Sequence, residues 1–152
     1  MTTVARGVRN RNPGNIDYTP RNAWVGQLGM EPKMPGVPVP RFAMFDTAEN
    51  GMRALGKLLL NYRGKDGLPG IGKPGIDTPF EFASRWAPSN ENNTLAYAKA
   101  LAKRLGVGVY DVIDITRPAT LRAMMIGVIV HENGGNPYST EQVEEGLRRA
   151  LA

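Results

Sequence analysis

Glu132 ends an apolar run, LRAMMIGVIVHE, and is followed at once by a Gly/Asn/Pro turn, NGGNPY. Leu121, Met125, Val128 and Glu132 fall at i, i+4, i+7 and i+11. At roughly 100° per residue, Glu132 lies within about 20° of Leu121 around a helix axis. The carboxylate therefore shares the face that the apolar residues bury. A carboxyl group at the mouth of an apolar groove is expected to hold its proton toward neutral pH. That property suits a general acid for glycosidic cleavage. A solvated Glu in the last turn of a core helix fits the same spacing, and helix geometry alone favours it. His131 points about 100° away from Glu132, which argues against a direct role.

Composition narrows the chemistry. The 152 residues contain no cysteine and one histidine. Disulfides, thiolate catalysis and Cys-based zinc sites are excluded, and no metal site or cofactor is expected. Hydrophobic residues make up 41% and charged residues 22%, the balance of a soluble globular chain of one domain, 1–152. No stretch reaches about 18 apolar residues, so no membrane insertion is expected. The basic start is not followed by an apolar run, so no signal peptide is expected either. Delivery outside the cytoplasm would then need other machinery. The net charge of +5 suits a polyanionic partner. No aromatic-and-basic face marks a nucleic-acid platform, so no nucleic acid is expected, and the expected state is a monomer.

The elements that must position Glu132 can be read in order. Residues 1–8 are expected to be a flexible lead-in. Asn12-Pro13-Gly14-Asn15 is a turn signal, in which Asn12 and Asn15 either satisfy local backbone groups or face a ligand. Tyr18 follows it. Trp24, beside Gly26, is either a sugar-stacking platform or a lid on the core. The proline-rich residues 30–40 predict an extended surface loop, and 41–45 a short strand. Five helices follow. The first begins at Asp46 or Thr47, and buries Met52, Leu55, Leu59 and Tyr62. The second opens on the capping box Thr78-Pro79-Phe80-Glu81. The third is capped by Thr94 and stopped by Gly106. The fourth is the apolar helix carrying Glu132, and the fifth is capped by Ser139 with Gln142. The 67–77 loop is rich in Gly and Pro but lacks a phosphate-cradling pattern. The expected fold class is mainly α (α+β), about five helices with a small β-hairpin or irregular lobe near the N-terminus.

His131–Ser139, HENGGNPYS, resembles the catalytic motif of lysozyme-like lytic transglycosylases, in which a helix ends in Glu-Ser-Gly and an Asn-Pro follows. The stretch NPGNI, then Trp-x-Gly, then RFAMFDTAENGMRAL resembles a block of bacterial glucosaminidases. There the block follows the catalytic Glu, whereas here it precedes Glu132. The chain also resembles phage-encoded proteins that begin RGIRNNNPGNI and carry WAPxxENNT, matched here by WAPSNENNT at 86–94. Together these resemblances imply a circularly permuted lysozyme-like catalytic domain that cleaves peptidoglycan, an endolysin or a virion-associated lysin. They imply Glu132 as the acid/base, and a glycan-side loop at Asn12–Ile16 with Trp24 and Gly26. The sequence departs from the transglycosylase pattern at Asn133, where Ser is usual, and lacks the Gly-Leu-Met-Gln element.

If a second carboxylate takes part, Asp17 ranks first, ahead of Glu91; Asp46 and Glu49 are better explained as helix-start residues. Tyr18, Tyr97 and Tyr138 are further candidates to bind sugars, each with an equally good place in core or rim. The partner implied is the glycan strand, with phage virion or tail proteins as others. A virion protein that keeps the fold without the chemistry is the alternative of another class. A DNA-binding phage protein is a third, resting on the pI of about 9.7.

Overall fold

The computed structural model describes residues 4–62, 76–86 and 91–152, with the side chains of Glu91 and Asn92 excepted. Among these residues the chain is mainly helical. In order it forms α1 (Arg6–Arg9), β1 (Gln27–Met30), β2 (Ala43–Phe45), α2 (Ala48–Tyr62), α3 (Pro79–Trp86), α4 (Glu91–Leu105), α5 (Pro118–Asn133) and α6 (Thr140–Leu151). The five helices expected from the sequence are all present, and α1 is an addition. The lead-in expected through residue 8 is therefore helical from Arg6. The expected loop at 67–77 lies outside the described residues up to 75, as do 87–90 of the WAPSNENNT segment.

The chain divides into two compact units, and α2 and α5 contribute residues to both. The first unit joins Met1–Lys57 to Val128–Ala152. It brings the N-terminal third of the chain together with the last turns of α5 and all of α6. β1 and β2 pair antiparallel, with a bulge between Gln27 and Gly29. The pairing continues as an Asp17–Phe42 bridge, and a Met34–Val37 bridge closes the proline-rich loop. Ile16, Ala43, Phe45, Met52, Leu55, Ile129, Val143 and Leu147 are buried here.

Thr47 caps α2 by accepting a hydrogen bond from Asn50 N at 3.1 Å. Ser139 and Gln142 form the reciprocal capping box that starts α6. Glycine lets α2 and α6 touch: a β-carbon on Gly146 would lie 2.4 Å from the β-carbon of Met52. Three polar links add to that seam, Gln142 to Glu49, Arg149 to Asn50 and Lys57 to the Ala152 carbonyl.

The second unit is Leu58–Gly127. α3 packs on α4, and Tyr62 sits against Phe82 and Trp86 at ring separations of 6.4 and 6.0 Å. Thr78 and Glu81 cap α3 as the sequence suggests. Thr94 does not cap α4. The helix begins at Glu91, and Thr94 is 6% exposed on the stripe that continues through Tyr97, Ala98 and Leu101. Burial at that helical spacing outweighs the capping preference of Thr. α4 ends as a Schellman turn, with Val107 N donating to Ala102 O and Gly106 N to Lys103 O, at Gly106 with φ 73°. The segment between α4 and α5 is irregular, held by Phe80 N to Val109 O and Ile113 N to Asp77 O.

α5 runs from a proline at its first position, with Leu121, Met124, Met125, Val128 and Ile129 all buried. Its end is set by Gly134 at φ 72°, a left-handed stop that β-branched residues would resist. No described helix is long and apolar enough to cross a membrane.

Candidate functional site

The site forms within the first unit, where the Asn-Pro-Gly-Asn turn meets the end of α5. Asn12 builds the turn. Its Nδ2 donates to Ile16 O and Ala43 O, and its Oδ1 accepts from Ile16 N, each at 2.9 Å. Asn12 is fully buried, and every one of these bonds goes to backbone. Of the two roles that the sequence leaves open for Asn12, its bonds fit the first, the satisfaction of local backbone groups: its amide holds the turn against β2. Asn15 N closes the turn onto Asn12 O, and Asn15 adopts a left-handed φ of 49°. Asn tolerates that region better than other side chains bearing a β-carbon.

From that position Asn15 Nδ2 donates to Glu132 Oε2 at 3.0 Å. The bond links residues 117 apart in sequence and joins the two motifs that the sequence kept separate. Glu132 is half-buried, and its Oε1 accepts no hydrogen bond from the described residues. Asn133, the next residue, secures the junction. Its Nδ2 donates to Pro13 O and to Ile129 O, both at 2.9 Å. Gly7 of α1 lies against this cluster: a β-carbon there would sit 2.6 Å from Asn133 Oδ1 and 2.9 Å from Asn15 Oδ1. A groove of about 430 Å³ opens beside it, lined by Ala5, Val8, Asn133, Gly135, Asn136 and Pro137.

Asp17 is committed elsewhere. Both its carboxyl oxygens accept from the Arg41 guanidinium, and the pair is exposed. That hydrogen bond to Asp17 is the main reason Arg41 is held above its ordinary value. Burial opposes it, Arg6 repels it, and Glu132 adds attraction. Arg41 thus pairs with Asp17 and attracts Glu132 only through space. Tyr18 is half-buried, and its N–H pairs with Arg41 O.

Trp24 opens a turn closed by Gln27 N onto Trp24 O, with Gly26 at φ 81°. A β-carbon on Gly26 would lie 2.3 Å from Asp46 Oδ1, so the glycine of the Trp-x-Gly pair serves the turn and its contact with the start of α2. Trp24 Nε1 is buried without a hydrogen-bond partner among the described residues. Tyr138 faces Glu49; burial first, and the charge of Glu49 second, push its phenol up to about 12. It is a neutral donor at any working pH, and its Oη is without a partner among the described residues. Tyr97 belongs to the second unit and is 2% exposed, a core residue of α4.

Glu31 is the residue that sequence reasoning missed. Its side chain is fully buried. It accepts from Arg6 Nε and Nη2, Asn10 Nδ2, Arg41 N and Phe42 N, and Arg9 lies 3.6 Å away. Burial pushes its carboxyl up, but these hydrogen bonds, Arg6 first, outweigh burial and hold it at about 2. The stretch expected to be a surface loop therefore begins with a buried anion that fixes α1. Arg6 also stacks on Phe42 at 4.4 Å. The available signal was three arginines in six residues at 6–11, which need somewhere to spend their charge. No group of three or more metal-binding side chains occurs among the described residues.

A helical chain with one carboxylate held between a loop and a helix end is the class of molecule these observations define. No protein-family profile matches it. Over 150 residues it is 34% identical to Protein P5 of Pseudoalteromonas phage PM2, an alignment that covers 97% of this chain and 82% of that protein. The chain belongs to that bacteriophage protein family.

Proposed function

We propose that the protein is a peptidoglycan-cleaving enzyme, with a circularly permuted lysozyme-like fold, acting on the β-1,4 bond between N-acetylmuramic acid and N-acetylglucosamine. Glu132 is its general acid and base. The observation that carries this reading is the Asn15–Glu132 hydrogen bond, which sets one carboxylate of a core helix against the Asn-Pro-Gly-Asn loop. The first-ranked second carboxylate, Asp17, is exposed and paired with Arg41, which weakens its case as a nucleophile. One working carboxylate favours the lytic-transglycosylase route, because the second group is then supplied by the substrate.

In that route Glu132 gives its proton to the bridging oxygen as the glycosidic bond breaks. The C6 hydroxyl of the muramic acid attacks the anomeric carbon and returns its proton to Glu132, leaving a 1,6-anhydro end. Water in place of that hydroxyl gives a muramidase. Trp24, half-buried, offers an aromatic face to the glycan, whereas the Tyr138 hydroxyl is buried and lies behind that surface. Phage ancestry fits delivery to the wall either by a lysis system or inside the particle.

The same ancestry favours a second reading, a particle protein without turnover. Turbidity reduction of purified cell walls separates the two. The enzyme reading predicts clearing by the wild type, and a loss of about 100-fold or more for Glu132→Gln. Equal clearing by both proteins would sink it.

A further inference from the structure

The two carboxyl oxygens of Glu132 are not equivalent. Oε2 accepts from Asn15 Nδ2 at 3.0 Å, and Oε1 accepts from none of the described residues. The Asn15 amide is itself oriented. Its Oδ1, like that of Asn133, is buried without a hydrogen-bond partner among the described residues and points at the bare α-carbon of Gly7. A carbonyl oxygen tolerates that contact as a weak Cα–H···O interaction. A reversed amide would set its NH₂ against the same carbon and turn a second acceptor toward Glu132. Asn15 therefore donates to Glu132. Its left-handed backbone, and the bonds from Asn133 Nδ2 to Pro13 O and Ile129 O, fix the turn that carries it.

We propose that Asn15 is a positioning residue for Glu132, pinning Oε2 as an acceptor so that Oε1 carries and delivers the proton. This rests on the reading of Glu132 as the acid/base. In the first step the Oε1–H bond breaks and the bridging glycosidic oxygen gains that proton, taking the electron pair of the breaking C–O bond. Asn15 keeps both its amide protons, and its hydrogen bond to Oε2 strengthens as the carboxylate charge develops. In the second step Oε1 takes the proton of the attacking hydroxyl. Among the described residues Arg41, which leads into β2 and pairs with Asp17, attracts Glu132 through space, and His131 precedes Glu132 on α5.

Two exchanges keep the left-handed backbone: Asn15→Gly, which deletes the donor, and Asn15→Asp, which sets a carboxylate against a carboxylate. Both are expected to fold. Asn15→Gly should lower kcat on cell walls about 10- to 100-fold, part of what a positioned acid contributes, with KM little changed. Asn15→Asp should lower it further. A wild-type kcat in Asn15→Gly overturns the proposal. The pair can also be read without turnover, from the side-chain NH₂ signal of Asn15 in ¹⁵N–¹H spectra. That signal should differ between the wild type and Glu132→Gln, because the exchange changes the acceptor of its hydrogen bond. A signal indifferent to that exchange overturns the positioning alone, whereas a wild type that leaves walls intact overturns the enzymatic reading as well.

Discussion

Exchanging Glu31 for Gln tests how the first unit is held. The carboxyl has no exposed surface, and it accepts five hydrogen bonds from four residues: Arg6 Nε and Nη2, Asn10 Nδ2, Arg41 N and Phe42 N. Gln keeps the shape but removes the charge and replaces one acceptor with an NH₂ that meets those donors head-on. Removing one partner of a buried, hydrogen-bonded ion pair costs about 3–5 kcal/mol. For a chain of this length each kcal/mol is worth roughly 2–4 °C, so Tm at pH 7 should fall by about 6–20 °C.

Acid provides a second reading of the same group. Glu31 is held at about 2 against an ordinary 4.5. The unfolded chain therefore takes up this proton first as pH falls. The stabilisation is complete above about pH 4.5 and is lost between there and about pH 2, a total of about 3 kcal/mol. Thermal or urea unfolding followed by circular dichroism from pH 7 to pH 2 should show this slope in the wild type, and less of it in Glu31→Gln. A mutant Tm within about 2 °C of wild type, or an identical acid slope, refutes the reasoning.

Asn12→Ala strips the Ile16 N–H and the Ala43 carbonyl of buried partners and should destabilise by about 2–4 kcal/mol, measured by urea unfolding; an unchanged midpoint would return Asn12 to the list of ligand contacts. Ser139→Ala removes the side-chain half of the α6 capping box and should cost about 1 kcal/mol without altering turnover, as thermal unfolding beside a turbidity assay would register. Ala at Gly51 would place a β-carbon 2.0 Å from the Arg11 carbonyl, a backbone atom with little room to yield. The expected loss is about 1–3 kcal/mol, read as a fall in Tm.

The helices were legible because their signals are local. Ser139 with Gln142, Thr78 with Glu81, Gly106, and the stripe Leu121–Met125–Val128 each declare themselves within one or two turns. Thr94 misled because a threonine cap and a buried threonine look alike until the neighbouring helix face is known. Glu31 was illegible for the opposite reason. Its partners Arg6 and Asn10 are 25 and 21 residues away, and a proline-rich flank reads as exposed loop whatever lies at its base. At the site, the type of Glu132 and its place on α5 followed from spacing. The hydrogen bond to Asn15 spans 117 residues, and local pattern holds no record of it. Asn12 and Asn15 lie three residues apart with the same side chain, yet one holds the turn and the other faces the carboxylate. That difference is fixed by β2 on one side and α5 on the other.

The most direct test of the central claim is mass spectrometry of the fragments released from purified peptidoglycan by the wild type and by Glu132→Gln. Cleavage at the N-acetylmuramic acid–N-acetylglucosamine bond predicts new muramic ends from the wild type, in the 1,6-anhydro form, and their near-absence with Glu132→Gln. Intact glycan strands after wild-type treatment, or the same fragments from both proteins, would contradict it.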